Sequence, residues 1–169
     1  MTNQQTLINN LLQIKRNVKI KKPLIHYITN PISINDCANV MLAIGARPIM
    51  AEHPLEVSEI TSASNALGVN LGNITDVRMK SMLISGKTAF KERIPQVIDL
   101  VGVGCSKLRF NYAKKFIFQC HPDVIKGNLS EIRAIYGIES NAKGIDAGEC
   151  DKITDDNIEI MKKLSLRTN

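Results

Sequence analysis

The feature that most constrains the fold is an alternation of short apolar segments with segments of helical spacing. Five apolar runs are each followed by a stretch whose apolar residues recur at the spacing of a helix. The runs occupy residues 23–29, 47–51, 66–72, 96–102 and 123–127. Consecutive parallel strands need crossover connections, which helices usually supply. The alternation therefore predicts an α/β fold with a mostly parallel sheet and helices on both faces.

Local signals predict where several helices begin and end. Ser33 is predicted to start the helix after the first strand, with Asp36 as the acid of a capping box. Gly45 is predicted to end that helix in a left-handed conformation. Pro54 is predicted to lie in the first turn of the next helix, where proline is well tolerated. Thr75 is predicted to cap the helix after the third strand.

Composition excludes several classes of protein. A chain of 169 residues with 44% apolar and 22% charged residues is long enough for one folded domain. No apolar run approaches the length that spans a bilayer, and the polar N-terminus does not resemble a secretory signal, so we expect a cytoplasmic protein without a membrane partner. The four cysteines and three histidines are too scattered for a zinc site.

The net charge of +6 is concentrated in residues 15–22, which hold five Lys or Arg in eight positions. This stretch carries no aromatic residues for stacking on bases, so it is interpreted as a solvated basic face and not as a nucleic-acid site. A mild positive field favours anionic ligands such as phosphates.

Parallel sheets bind ligands at the carboxyl ends of their strands, which directs attention to Asp99 and to the segment after the fifth strand. A carboxylate at Asp99 is costly to bury unless it is paired or metal-bound, and it could instead cap the following loop; both readings remain open. Asn128 and Glu131 have the spacing of a helix capping box. The same geometry could bind phosphate at the helix start, with Mg²⁺ on Glu131 and Lys126 as a point charge.

Longer stretches together resemble the hydroxyethylthiazole kinase family of thiamine biosynthesis and salvage. They are PLIHYITNPISINDCANVMLAIGARPIMAEHPLEV (23–57), GVNLGNI (68–74), VIDLVGVG (97–104), VIKGNLSEI (124–132) and KGIDAGE (143–149). The resemblance implies a ribokinase-like α/β fold and a transferase that phosphorylates the hydroxyl of 4-methyl-5-(2-hydroxyethyl)thiazole. It further implies ATP as co-substrate, Mg²⁺ as cofactor and a homotrimer with active sites between subunits.

The resemblance also assigns site residues by matching motifs. The implied residues are Met50 and Asn30 for the thiazole, Lys126 and Asn128 for ATP, and Glu131 and Asp99 for the metal. One departure concerns Leu100, which stands where the family has a proline after the aspartate. Because proline restricts the backbone, its loss makes the position of Asp99 less constrained.

The resemblance implies that family members continue with further strands, a Thr that contacts ATP and a Gly-Thr-Gly anion-hole loop. None of these is in this sequence, so we expect residues 1–169 to form a single incomplete domain that lacks C-terminal strands and helices, with no assignable catalytic residue. Residues 141–152 are predicted to form a loop and residues 155–165 a last helix.

Two alternatives to an active thiazole kinase remain. The chain could be catalytically inactive because it lacks the anion-hole loop, or it could be a related kinase acting on another small molecule. The stretch around Met50 argues against the second alternative.

Overall fold

The computed structural model describes residues 3–137, 158–159 and 161–162. Its strands are β1 (Leu24–Ile28), β2 (Arg47–Ile49), β3 (Ala66–Asn70), β4 (Gln96–Asp99) and β5 (Val124–Lys126). Its helices are α1 (Asn3–Lys21), α2 (Ile34–Ile44), α3 (Val57–Ser62), α4 (Asp76–Glu92), α5 (Lys107–Cys120) and α6 (Leu129–Tyr136). All neighbouring strands of the described sheet are parallel, in the order β2-β1-β3-β4-β5. The predicted α/β architecture is confirmed.

Several predicted helix ends are confirmed. Gly45 ends α2 with φ of 97°, and its N–H donates to Leu42 O. The Thr75 side chain accepts the N–H of Arg78 and caps α4. Because both signals depend on neighbours within one turn, the sequence is sufficient to recognise them.

Ser33 starts α2 as predicted, but its predicted capping box is absent, and the predicted helix start at Pro54 is wrong. Ser33 precedes α2, but its φ of −104° and ψ of 1° are not those of an extended cap, and its side chain makes no cap hydrogen bond. Its hydroxyl instead lies 3.3 Å from Thr29 Oγ1. Pro54 belongs to a turn, because the N–H groups of Glu56 and Val57 both donate to His53 O before α3 begins at Val57.

One face of the sheet, the helix-covered face, contains the main core. Strand residues with less than about one-tenth exposure alternate along β1, β3 and β4 and pack under α3, α4 and α5. These strand residues are Ile28, Leu67, Val69 and Ile98. Met82 of α4 and Phe116 of α5 complete the core and are fully buried.

The other face of the sheet carries an apolar hollow between α2 and the strands. The hollow has a volume of about 400 Å³. Tyr27, Gly68 and Val97 form its floor, and Val40 and Met41 form its wall. A Cβ at Gly68 would overlap the Tyr27 ring, so the absent side chain lets the ring lie on the sheet.

Two predictions fall wholly or partly outside the described residues. The predicted loop 141–152 and the KGIDAGE stretch lie outside them. Of the predicted helix 155–165, residues 158–159 and 161–162 are described, and they are helical. In the described part of the chain, no helix combines the length and apolar character needed to cross a membrane.

Candidate functional site

The register of three neighbouring strands brings polar side chains into a row at the carboxyl edge of the sheet. Asn70 of β3 pairs with Asp99 of β4, and Asp99 pairs with Lys126 of β5. Asn70 Nδ2 donates to Asp99 Oδ2 at 2.9 Å, and Lys126 Nζ donates to the same oxygen at 2.9 Å. The predicted residues Asp99 and Lys126 are therefore in direct contact. Asn70 joins them although sequence reasoning had not selected it.

The Asp99 carboxylate is bound through only one of its oxygens. Its side chain is 15% exposed, and Oδ1 is buried without a hydrogen-bond partner among the described residues. A buried, unpartnered carboxylate oxygen is costly, so it suits a position where a cation or donor is received. Of the two open readings for Asp99, pairing is the one that the structure shows.

Lys126 is the solvent-facing member of the row. Its side chain is 63% exposed. The hydrogen bond to Asp99 raises the pKa of the Lys126 ammonium above its usual range. The side chain therefore stays cationic at neutral pH and can reach into solvent toward an anion.

The capping box at the start of α6 is confirmed. Asn128 Oδ1 accepts the N–H of Glu131 at 2.9 Å, and Glu131 Oε2 accepts the N–H of Asn128 at 2.8 Å. The other carboxylate oxygen, Oε1, accepts the N–H of Gly102 at 2.9 Å. Both oxygens of Glu131 thus have backbone donors, and the side chain is 7% exposed. Its predicted role in metal binding stays a prediction.

Arg109, in the first turn of α5, ties together the loops that follow β3 and β4. Its Nη2 donates to Gly72 O at 2.9 Å, and its Nη1 donates to Val101 O at 3.3 Å. Gly102, with φ of 77°, lies against the guanidinium, and a Cβ there would overlap it. The sequence carried no signal for this contact, because the two carbonyls lie 37 and 8 positions away from Arg109.

The predicted substrate residues follow β1 and β2, at the opposite end of the strand order from β4 and β5. Asn30 follows β1, and its Oδ1 accepts the N–H of Ser33 at 3.0 Å. Met50 follows β2 and is half-buried. Because β1 and β3 lie between β2 and β4, Met50 is separated from Asp99 by two strands. The predicted residues therefore form two groups, which we call the substrate side (Asn30, Met50) and the phosphate side (Asp99, Lys126, Asn128, Glu131).

A buried histidine, His26, is hydrogen-bonded to the segment that follows Met50. His26 lies on the helix-covered face, with Nε2 2.9 Å from Ala51 O and Nδ1 2.9 Å from Thr61 Oγ1. Burial lowers the pKa of His26, so the neutral imidazole is favoured, with Nε2–H donating to the carbonyl. Arg78 adds a bidentate ion pair to Glu52, with contacts of 2.7 and 3.2 Å.

The carboxylate oxygens on the phosphate side suit a hard cation. Carboxylate oxygens are the ligands that Mg²⁺ prefers, and Mg²⁺ retains several waters, so one free oxygen such as Asp99 Oδ1 is chemically sufficient to begin such a site. Within the described ranges, no three His, Cys, Asp or Glu side chains cluster as a metal cage would require.

Comparison with known proteins gives a consistent result. A family profile described as "Hydroxyethylthiazole kinase family" matches residues 15–169. "Hydroxyethylthiazole kinase 1" from Clostridium botulinum (strain Loch Maree / Type A3) is 74% identical over 162 residues, which are 94% of this chain and 61% of that protein. "Hydroxyethylthiazole kinase" from Clostridium botulinum (strain Eklund 17B / Type B) is 43% identical over 145 residues, which are 86% of this chain and 52% of that protein.

A solved structure is also similar. It is described as the structure of hydroxyethylthiazole kinase protein from Pyrococcus horikoshii OT3. It has a TM-score of 0.74 and 32% sequence identity, and the match covers 76% of this chain and 50% of that one. The chain spans about 61% of the length of the first curated relative that it matches.

Proposed function

Because this chain belongs to the hydroxyethylthiazole kinase family and has its ribokinase-like α/β fold, we propose that it serves in the ATP-dependent phosphorylation of 4-methyl-5-(2-hydroxyethyl)thiazole. The enzyme would be a phosphotransferase of thiamine biosynthesis or salvage. The observation that carries the proposal is the row Asn70–Asp99–Lys126 at the carboxyl edge of a parallel sheet, because this is the edge where such sheets bind ligands.

On the phosphate side, the chain's own residues would bind and orient the nucleotide. Lys126 offers an exposed positive charge to the phosphates, and Asn128 caps the helix whose N-terminus favours anions. Asp99 would hold Mg²⁺ through its free oxygen, and Glu131 would act on the metal through water. When bound, Mg²⁺ supplies neutralisation of the charge on the phosphates.

On the substrate side, Met50 and Asn30 would contact the thiazole. Met50 offers a polarisable apolar side chain suited to a heteroaromatic ring. Its segment is rigid, because His26 and Arg78 fix the two residues that follow it. Phosphoryl transfer depends mainly on positioning, so a fixed segment beside the acceptor is useful. Among residues 3–137 we assign no catalytic base.

The assembly and location complete the proposal. We propose a homotrimer, supported by large apolar side chains that are exposed on α1 and α2. They are Leu7, Ile8, Leu11, Leu12, Ile14, Ile20, Val40, Leu42 and Ile44. We propose a cytoplasmic location, because ATP is the co-substrate.

A second candidate function is nucleotide binding without phosphoryl transfer. It is favoured by one observation: the described residues offer groups for phosphate and metal, but no assigned base. Equilibrium binding and turnover separate the two candidates, since only the first requires a phosphorylated product.

The decisive experiment incubates the protein with ATP, Mg²⁺ and the thiazole alcohol and detects the phosphate ester by mass spectrometry. We expect ester formation, and loss of Mg·ATP affinity in Lys126→Met but not in Lys115→Met, which changes an exposed lysine on α5. A panel that includes a hydroxymethyl-pyrimidine and a sugar tests the substrate. Absence of ester with retained Mg·ATP binding would favour the second candidate, and absence of both would refute the proposal.

A further inference from the structure

We propose that Asn70 is a positioning residue that fixes the orientation of the Asp99 carboxylate and connects the phosphate side to the substrate side. The inference rests on the proposed function. It concerns which oxygen of Asp99 is left to bind the proposed metal. It assigns a role to Asn70, which the family resemblance did not select.

Asn70 is held at both ends of its side-chain amide. It is 7% exposed. Its Oδ1 accepts the N–H of Gly72 at 2.7 Å, and its Nδ2 donates to Asp99 Oδ2 at 2.9 Å. A backbone N–H can only donate, so Oδ1 must face Gly72 and Nδ2 must face Asp99. The amide orientation is thus determined by its partners, and reversing it would break both hydrogen bonds.

Asn70 and Lys126 both bind the same oxygen of Asp99. They approach from the strands on either side of β4, which leaves Oδ1 as the oxygen without a partner among the described residues. Lys126 is 63% exposed, and its hydrogen bond is to Asp99, whereas Asn70 is buried and also bound to the backbone N–H of Gly72. Asn70 is therefore the partner that prevents the carboxylate from rotating and exchanging its two oxygens.

Gly72 places Asn70 beside the substrate side. A Cβ built on Gly72 would lie 2.7 Å from Asn70 Oδ1 and 2.9 Å from Asn30 Nδ2. The two asparagine side chains thus converge over the same glycine. Asn70 is hydrogen-bonded to Asp99 of the phosphate side and lies next to Asn30 of the substrate side. A shift of Asn70 would disturb both groups at once.

The test measures Mn²⁺ affinity in the presence of ATP, by electron paramagnetic resonance, in a double-mutant cycle. Asn70→Ser should weaken Mn²⁺ binding by about ten-fold, the usual size of effect for a residue that orients a metal ligand. Asp99→Asn, which changes the proposed ligand itself, should weaken it at least as much. The double variant should be no weaker than Asp99→Asn, because Asn70 acts through Asp99. Asn17→Ser, on the exposed face of α1, should have no effect.

Additive losses in the cycle, or unchanged affinity in Asn70→Ser, would overturn the inference. Asn70→Thr, which suits a strand, replaces Asn70→Ser if that variant does not fold. The double-mutant cycle separates the proposed role from a purely structural one, because a structural role would not act through Asp99. The hydrogen bond itself predicts that the Nδ2 proton resonances of Asn70 shift in Asp99→Asn.

This spectrum is measured without a ligand, so it tests the inference even if the wild-type protein binds no Mn·ATP. Unshifted Asn70 resonances would refute the inference, whereas loss of Mn·ATP binding in the wild-type protein would count against the proposed function.

Discussion

The carboxylate of Glu131 in α6 accepts the backbone N–H of Gly102 at 2.9 Å, although Gly102 lies in the loop after β4 and Glu131 in the helix after β5. Glu131 therefore does more than cap its own helix, because it also holds the loop that follows β4. Its second oxygen is used by the capping box. The bond to Gly102 is buried and the bond to Asn128 is part-buried; both are charge-assisted, and such bonds are stronger than those between neutral groups.

Glu131→Gln should lower the free energy of unfolding by about 2 kcal/mol. Glutamine keeps the shape of the side chain but offers one acceptor and turns an NH₂ group toward the other backbone donor. Urea denaturation measures the change. Glu59→Gln, which removes an exposed carboxylate on α3, is the matched control and should change stability little. Equal losses in the two variants would contradict the role assigned to Glu131.

Gly127→Ala should destabilise the protein by roughly 1–2 kcal/mol. An added Cβ would lie 3.1 Å from Glu131 Oε2, 3.2 Å from Glu131 Cβ and 3.4 Å from Leu100 Cβ, so the capping box would have to shift. The matched control is Gly104→Ala, whose Cβ would meet nothing closer than Ala134 Cβ at 4.0 Å. Thermal unfolding should separate the two variants, and the prediction fails if Gly127→Ala is as stable as the control.

Stability should fall as the pH is lowered through the titration of His26. Burial lowers the pKa of His26 from 6.5, so the unfolded state takes up a proton first and is favoured below about pH 6.5. The loss should not exceed about 1.4 kcal/mol per pH unit and should end below the folded pKa. Above pH 6.5 this group contributes no pH dependence.

The His26 contribution is measured from urea denaturation at a series of pH values. His26→Gln should reduce the slope below about pH 6.5. His53→Gln, at an exposed position, should retain it. A slope that is unchanged in His26→Gln would show that other groups cause the acid sensitivity.

Cysteine reactivity should differ sharply between two positions. Burial raises the pKa of Cys120 to about 11, and its side chain is fully buried against the core. Cys105 is exposed in the loop after β4. Iodoacetamide at mildly alkaline pH should therefore alkylate Cys105 while Cys120 reacts only after denaturation, because the thiolate is the reactive form. Peptide mass spectrometry with and without urea gives the answer, and early alkylation of Cys120 would disprove it.

The sequence was sufficient to predict the strands, because each is a short apolar run, and the caps at Thr75 and Asn128, because each acts within one turn. The contact between Asp99 and Lys126 follows from placing two strand ends side by side. Asn70 was in principle detectable as the polar residue within the apolar run 66–72. The Glu131–Gly102 bond was not detectable, since it depends on how two connections meet after folding.

The capping box predicted at Ser33 failed for a similar reason. Its residue type and the acid three positions later match a capping box, but the chain enters α2 with Asn30 already bonded to the Ser33 N–H. A cap requires an extended backbone before the helix, and this turn does not provide one. Residue types alone do not reveal that competition.

The guanidinium of Arg109 is bound by two carbonyl oxygens, Gly72 O and Val101 O, as a monovalent ion is bound in an ionophore. The protein thus carries its own permanent cation at the junction of two loops. Chelators, dialysis or a change of alkali salt should not alter this junction, because its cation is part of the chain. Replacing the side chain with one that lacks the charge would leave both carbonyl oxygens without this donor.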